Sequence, residues 1–272
     1  MKMKTLTGLL AASTIFASGA AMADAIYLDA PGSGGNTDSF AQFGLNWTAL
    51  STYTDSNVNG VVDPGETVVD TVVKNYLKDG VTFLNYFGNM HLIPSVFEQA
   101  GYGSTWGLYF AYTINGTVIS ATGSQILANY TSGTIDIYYD DFSGRASGNA
   151  ARDITTDPKV MSINITGSGG AIANFILLGE VASVNSGLFF FENGPQDFNT
   201  LVGAGVTISM RVDTNLDTNE VPSGPAGSRT LTRQSTLDGS ASFTAVPEPS
   251  ALALLGIGLV GLGAIRRSKK AA

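Results

Sequence analysis

The sequence has no cysteine in its 272 residues, and it has a single histidine, His91. Without cysteine there is no disulfide to stabilise the fold and no thiol for catalysis. With one histidine there can be no histidine-based catalytic triad and no multi-histidine metal site. A G-x-S-x-G nucleophile motif and a phosphate-binding P-loop are also absent from the sequence. These absences disfavour catalysis, and we expect a protein that is not an enzyme.

Basic residues are scarce as well, with 14 Lys and Arg against 22 Asp and Glu. Six of the basic residues lie at the two ends of the chain, at Lys2 and Lys4 and after Ile265, whereas all 22 acidic residues lie from Asp24 to Glu248. The stretch between the ends therefore carries a net charge of about −14. Such a surface repels nucleic-acid phosphates, and it repels acidic polysaccharide unless a divalent cation bridges the two. Nucleic acid is therefore not an expected partner.

Residues 1–23 predict a signal peptide for export. An apolar stretch, Leu6–Phe16, follows the two lysines near the start. The tripeptide 21–23 (Ala-Met-Ala) then fits the small-x-small pattern of a signal-peptidase site. We expect cleavage between Ala23 and Asp24, so that the mature chain begins at Asp24.

Residues 246–272 have the features of a second signal. Ser250–Ile265 contains sixteen residues without a charge. As a helix it would span roughly 24 Å, somewhat less than a hydrocarbon core of about 30 Å. Arg266 and Arg267 follow directly, and such basic residues stay on the cytoplasmic side of a membrane. We expect this segment to insert transiently into the inner membrane.

Pro247, Glu248 and Pro249 stand immediately before the apolar segment. Because proline disfavours helix in the residue that precedes it, the tripeptide stays extended and accessible. Pro-Glu-Pro, an apolar Gly/Ala/Leu helix and an arginine-rich end together resemble the PEP-CTERM sorting signal of Gram-negative bacteria. The resemblance implies that an exosortase, a membrane transpeptidase, recognises the tail, and that the protein is associated with exopolysaccharide production.

Glycine is frequent, at 33 residues, and Asn, Ser and Thr separate short apolar runs in the part between the signals. This composition favours an all-β extracellular domain, and we predict a single β-sandwich of about ten strands over residues 24–245. Runs of alternating or β-branched residues place strands at Thr67–Val73, Trp106–Thr113, Thr117–Thr122, Ser132–Asp140, Val160–Thr166, Ile172–Leu178, Gly187–Glu192, Val206–Val212 and Ala241–Ala245.

Three local signals complete the predicted fold. Asn115-Gly116 between two apolar runs predicts a tight hairpin turn. Ser95–Ala100 and Asp197–Ala204 have the pattern of short helices. Val221–Arg229, rich in Pro, Gly and Ser, predicts a long loop or a linker before the last strand.

The segment DSNVNGVVDPGE, residues 55–66, matches the twelve-position calcium loop of EF-hands. Calcium requires several oxygen ligands, a sharp turn at the glycine and a closing carboxylate. The β-branched residues after the loop predict a strand rather than the exiting helix of an EF-hand, and the alternative is an Asn/Asp/Gly-rich turn that binds nothing. We therefore expect calcium as the cofactor, with ligands from Asp55, Asn57, Asn59, Asp63 and Glu66 and from the backbone carbonyl of Val61.

Three other groups of residues are weaker candidates. Asp213–Glu220 echoes the calcium pattern but lacks its glycine and closing glutamate, so we expect an Asx turn there. Asp140 and Asp141 could suggest a glycosidase pair, but adjacent strand residues point to opposite faces. Aromatic residues could form a sugar-stacking platform, with Trp106 and Tyr139 as the exposed candidates, although core packing is the default for such side chains.

The segments WGLYFAY, YTSGTIDIYYDD and GVTISMRVDTN, ahead of the Pro-Glu-Pro tail, resemble the flocculation-associated PEP-CTERM proteins of floc-forming bacteria. The resemblance implies a non-enzymatic protein, secreted or held at the cell surface, that helps to hold cells in exopolysaccharide flocs or biofilm. The alternatives are a calcium-dependent glycan-binding module and an exopolysaccharide-modifying enzyme. The module would bind sugar saturably through exposed aromatics, and the enzyme would need two carboxylates brought together in a groove.

Overall fold

The computed structural model describes residues 24–29, 35–72, 76–78, 81–83, 105–141, 157–172, 174–194, 196–216 and 220–246. Nearly all regular structure in these residues is β-strand, and the only helix among them is short. The predicted all-β class is therefore confirmed. None of the helices in this described part of the chain is long and apolar enough to span a membrane.

The described residues form thirteen strands and one helix. In chain order they are β1 (Ile26–Leu28), β2 (Phe43–Thr54), β3 (Thr67–Val72), β4 (Tyr76–Lys78), β5 (Val81–Phe83), β6 (Trp106–Thr122), β7 (Gln125–Asp141), β8 (Lys159–Ala171), β9 (Asn174–Val184), β10 (Phe189–Phe191), β11 (Gln196–Asp197), α1 (Phe198–Gly203), β12 (Thr207–Leu216) and β13 (Thr230–Val246).

Eight long strands hydrogen-bond in the order β12-β13-β2-β3-β6-β7-β8-β9, and β9 pairs again with β12. All of these pairs are antiparallel, and every strand has a neighbour on both sides, which removes the unpaired edges through which sheets aggregate. A β-sandwich, as predicted, has two facing sheets with free edges, whereas these eight strands close into one continuous sheet. Register shifts within the β6–β7, β7–β8 and β8–β9 pairs supply the local bends that closure requires.

Alternation along β2 shows how the sequence builds the core, although Thr48 on the opposite face is buried as well. Every second residue is buried, namely Phe43, Leu45, Trp47, Ala49, Ser51 and Tyr53. Because successive strand residues point to opposite faces, this set lines the interior of the closed sheet. β13, its neighbour, alternates in the same way, and the inner surface of the two strands is apolar except at Ser51, Arg233 and Ser235.

A cluster of phenylalanines lies beside the small sheet β1-β10-β11 and helix α1. Phe198, the first residue of α1, stacks on Phe191 with ring centroids 4.3 Å apart and meets Phe243 of β13 edge-on at 5.6 Å. Asp197 begins the helix, because its side chain accepts a hydrogen bond from the Asn199 amide. The predicted helix at Asp197–Ala204 is thereby confirmed, and it docks the small sheet against the core.

The hairpin turn predicted at Asn115-Gly116 is wrong. Both residues lie inside the continuous strand β6, and the turn between β6 and β7 falls instead at Gly123–Ser124, where Gly123 has φ +63°. Gly116 serves close packing, since a Cβ there would lie 2.6 Å from the backbone oxygen of Asn129. The Asn-Gly pair marks a register shift in the strand pairing rather than a chain reversal.

The remaining local predictions have different outcomes. Val221–Arg229 is a loop with one isolated bridge, at Ser223, as predicted. The Asx turn expected from Asp213 is wrong over its first half, because residues 213–216 continue β12, where 213–215 pair with both neighbouring strands and Leu216 pairs with β13. The predicted helix Ser95–Ala100 lies outside the described residues.

Candidate functional site

The predicted calcium loop connects β2 to β3 and begins and ends with buried carboxylates. Asp55 follows the last residue of β2, and Glu66 precedes the first residue of β3. Both side chains are buried, although they lie in a polar loop at one end of the closed sheet. The β-branched segment after Glu66 forms a strand, as predicted, so the loop joins two strands rather than two helices.

Each of the two buried carboxylates accepts two backbone hydrogen bonds. Asp55 Oδ1 and Oδ2 accept from the amides of Asn59 and Gly60 at 3.2 and 2.8 Å. Glu66 Oε1 and Oε2 accept from the amides of Ser56 and Asp63 at 2.7 and 3.0 Å. The first and last candidate ligands therefore hold the loop backbone from both ends.

The remaining side-chain candidates meet across the loop. The Nδ2 atoms of Asn57 and Asn59 each donate to Asp63 Oδ2 at 2.8 Å, while their Oδ1 atoms accept backbone amides. Val61, the candidate carbonyl ligand, is exposed. Within the described ranges no three His, Cys, Asp or Glu side chains form a group that could hold a metal ion. A bound calcium would therefore depend on the two asparagine oxygens and on backbone oxygen as well as on carboxylates.

The rest of the protein anchors this loop. The carbonyl oxygen of Val118, in β6, accepts a hydrogen bond from the amide of Gly65, and the amide of Val118 donates to the carbonyl oxygen of Glu66, both at 2.8 Å. The amide of Asp55 donates to the carbonyl of Arg229 at 2.9 Å. Gly60, at the sharp turn, has φ +80°, a conformation that favours glycine. The loop geometry is thus fixed by contacts with two other segments.

A second group of polar residues lies inside the closed sheet and was not predicted from the sequence. Asp70 of β3 and Arg233 of β13 are both buried. The hydroxyl of Tyr130 donates to Asp70 Oδ2, and Arg233 Nη1 donates to the carbonyl of Ser124 at 2.9 Å. Arg233 also lies over the ring of Tyr53, 5.8 Å from its centroid. The sequence feature that could have indicated this cluster is a charged residue at an inward position of a strand with alternating apolar residues.

Burial perturbs the titration of this interior cluster. Desolvation raises the pKa of Asp70 above its ordinary value, while Ser51, Tyr130 and Arg233 partly oppose that rise. Desolvation also raises the pKa of Tyr53 to about 12 and that of Tyr130 well above its ordinary value. The tyrosines are therefore neutral hydrogen-bonding groups at physiological pH, and Asp70 is the titrating member of the cluster.

The outer surface of β13, β2, β3, β6 and β7 has an uncharged, hydroxyl-rich patch, which we call the threonine face. Register places one exposed row across the five strands, and within it the hydroxyls of Thr67 and Thr54 hydrogen-bond at 2.9 Å. None of the residues of the face carries a charge. The threonine face consists of Thr52, Thr54, Thr67, Thr71, Thr113, Asn115, Thr117, Asn129, Ser132, Thr134, Thr230 and Thr232.

The aromatic and paired-carboxylate candidates give no platform or catalytic dyad. Core packing, the default expectation for these side chains, holds for Trp106, which is 2% exposed and stacks on the half-buried Tyr139 at 5.6 Å and is therefore not an exposed sugar-stacking candidate. The Trp106 side chain packs in the apolar part of the interior. Asp140 is buried and Asp141 exposed, and as neighbours in β7 the two carboxylates lie on opposite faces of the strand.

The processing residues lie mostly outside the described part of the chain, namely Ala23, Pro247, Glu248, Pro249, Arg266 and Arg267. Asp24, the expected first residue of the mature chain, is described. Its amide donates to the carbonyl of Phe243 at 3.1 Å, and its Oδ2 accepts from the amide of Ala245 at 3.0 Å. The start of the domain is therefore tied to the last strand, immediately before the Pro-Glu-Pro tripeptide.

Comparison with family models matches the PEP-CTERM protein-sorting motif to residues 245–268. The β domain is thus followed by a sorting signal, as the tail predicted. A protein with this motif is an exported substrate of exosortase, processed to reach the cell surface or the extracellular space. Neither the curated proteins nor the solved structures contain a match to this chain.

Proposed function

We propose that this protein is a non-enzymatic component of the extracellular matrix of a Gram-negative bacterium, and that it associates with exopolysaccharide and promotes floc or biofilm formation. The observation that carries the proposal is the threonine face, present on a domain that has an exosortase sorting motif. Exosortase processing delivers the domain to the place where exopolysaccharide accumulates. The threonine face then supplies a surface that suits such a polymer.

Hydroxyl and amide side chains can both donate and accept hydrogen bonds, as the hydroxyls of a polysaccharide do. Strands lie about 4.8 Å apart, so the rows of the threonine face repeat their polar groups at regular short intervals. A single hydrogen bond contributes only about 1 kcal/mol net, but many along one polymer add avidity. The absence of charge also matters, because the stretch between the two terminal signals has a net charge of about −14 and would otherwise repel an acidic polymer.

The binding test compares a triple variant of the exported protein with a control double variant. Thr54→Val, Thr67→Val and Thr117→Val together remove hydroxyls from one row of the threonine face, while β-branching and strand propensity are kept. A control carries Thr166→Val and Thr207→Val, which lie on other strands. Cosedimentation with the exopolysaccharide of the producing strain should fall at least several-fold for the first variant only. Equal binding by both variants would remove the threonine face from the proposal.

We also propose that the loop Asp55–Glu66 binds calcium. All of its side-chain candidates take part in one hydrogen-bonded loop, and the two end carboxylates are buried. Calcium, when bound, supplies positive charge that offsets these carboxylates and can bridge to acidic groups of a polymer. Asp55, Asp63 and Glu66 would hold the ion together with the oxygens of Asn57 and Asn59. The backbone carbonyl of Val61 completes the predicted set.

A further inference from the structure

The interior of the closed sheet contains a cavity of about 30 Å³. It lies between strands β2, β3, β6, β7, β9 and β13, and Trp47, Phe175 and Leu177 form part of its apolar wall. Its polar wall consists of Ser51, Tyr53, Asp70, Tyr112, Tyr130, Arg233 and Ser235. The cavity is distinct from the calcium loop, which lies outside the closed sheet between β2 and β3.

Three polar atoms on the cavity wall have no hydrogen-bond partner within the described residues: Asp70 Oδ1, Arg233 Nε and Ser235 Oγ. The three side chains are only 5–6% exposed. A buried polar atom without a partner costs about 1–3 kcal/mol, and more when the group is charged. Three such atoms on one small cavity indicate that a hydrogen-bonding molecule occupies it.

Strand register explains why the charged groups do not simply pair with each other. Arg233 is aligned with Ser51, and Ser51 is aligned with Asp70, so the two charged residues lie two strands apart on the same inward row. With strands about 4.8 Å apart, their backbones are separated by about 10 Å. Asp70 uses Oδ2 for Tyr130, and Arg233 uses Nη1 for Ser124. Asp70 Oδ1 and Arg233 Nε remain available to a molecule between them.

We propose that this cavity is a binding site for about two ordered water molecules, which connect the carboxylate of Asp70 to the guanidinium of Arg233 and the hydroxyl of Ser235. Water fits the chemistry, because it can donate to Asp70 Oδ1, accept from Arg233 Nε and do either with Ser235 Oγ. It also fits the size, since one water needs about 10–15 Å³ of such space. An anion would face the Asp70 carboxylate, and a sugar ring is several times too large.

The site has a consequence for the protein as a whole. Bridging waters turn two separated buried charges into one connected network across β13, β2 and β3, with Tyr130 of β7 attached to it. The network thereby links strands on two sides of the closed sheet. Contacts with sugars then belong on the outer surface of the protein, because the interior space is already occupied.

The experiment measures long-lived internal water in the mature protein by oxygen-17 magnetic relaxation dispersion. Ser235→Val removes a hydrogen-bonding hydroxyl and places methyl groups into the cavity. Ser209→Val makes the same change on β12, at a half-buried outward position. The dispersion amplitude should fall by the equivalent of one or two waters for Ser235→Val and should not change for Ser209→Val. Equal amplitudes in wild type and both variants would overturn the proposal.

If Ser235→Val does not fold, crystallography of the wild-type protein provides a second test of the water site. In a crystal structure of the wild-type protein, at a resolution where ordered water is visible, we expect solvent peaks within hydrogen-bonding distance of Asp70 Oδ1, Arg233 Nε and Ser235 Oγ. A dry cavity would refute the water site. So would a direct contact between Asp70 and Arg233, or a larger molecule in the cavity.

Discussion

Replacing Tyr130 with Phe tests the buried polar network directly. The substitution removes one hydroxyl, which donates to Asp70 Oδ2, and keeps the ring that packs against Phe175. A hydrogen bond to a charged group is worth about 1.5–3 kcal/mol, and one between neutral groups about 1 kcal/mol. For a domain of this size each kcal/mol shifts the melting temperature by about 2–4 °C. We therefore expect Tm to fall by about 3–12 °C when Asp70 is ionised, and by less when it is protonated.

The pH dependence follows from the direction of the Asp70 shift. Burial raises its pKa in the folded protein, so the folded state holds its proton to higher pH than the unfolded chain does. Stability from this group is therefore fully present below the ordinary carboxyl pKa and is lost as the pH rises through the raised value. The groups that face Asp70 are Tyr53, Tyr112, Tyr130 and Arg233, and the tyrosines stay neutral over this range.

Thermal unfolding, followed by circular dichroism between about pH 4 and 8, measures the effect. Tyr130→Phe should steepen the loss of Tm with rising pH and extend it upward, because the lost hydrogen bond had lowered the pKa of Asp70. Asp70→Asn should remove that part of the pH dependence. Tyr27→Phe is the control, since Tyr27 is half-buried and stacks on Phe190 at 5.1 Å. If Tyr130→Phe behaves like Tyr27→Phe at every pH, the assigned network is refuted.

Three further predictions concern the backbone, the loop and the tail. Gly133→Ala should lower the free energy of unfolding in urea by about 3 kcal/mol or more, because the φ of Gly133 is +131° and the new Cβ would lie 2.3 Å from the Thr113 carbonyl oxygen. The control Gly169→Ala places its Cβ where no atom lies within 4 Å, so it should lower that free energy by less than about 1 kcal/mol. Equal unfolding midpoints for the two variants would contradict this prediction. Calcium at a hundred times its Kd should stabilise the wild-type protein by about 2.7 kcal/mol, measured by calorimetry. Glu66→Gln should abolish most of that stabilisation. Equal stabilisation of the wild type and the variant would exclude the loop Asp55–Glu66 as the calcium site. Alanines at 247–249 should leave an unprocessed precursor on immunoblots, whereas a protein of mature size would show that exosortase does not read this tripeptide.

The all-β class was predictable because the strand signal is local. Met161, Ile163 and Ile165 alternate with polar residues in the sequence, and these three side chains are buried in β8. Local signals failed where strand pairing overrode them. Asn115-Gly116 favours a turn in isolation, but the long antiparallel pair β6–β7 keeps it extended, and its glycine permits close contact with the neighbouring strand.

Closure of the sheet and the interior cavity could not be predicted from the sequence. Closure depends on β9 pairing with β12, and no local pattern specifies that pair. The cavity brings together Asp70 and Arg233, which are far apart in the chain and meet only because β13, β2 and β3 are neighbours. The calcium candidates, in contrast, lie within one continuous segment, so their proximity was predictable.

The proposed matrix role is tested most directly by floc settling of a deletion strain. The strain is complemented with the full gene, with a gene truncated before Val246, or with the full gene carrying the triple threonine-face variant. We expect deletion to disperse the flocs, only the full gene to restore rapid settling, and the other two to fail although the protein is made. If deletion leaves settling unchanged, the matrix role is contradicted, and glycan binding or exopolysaccharide modification by the β domain becomes the function to test.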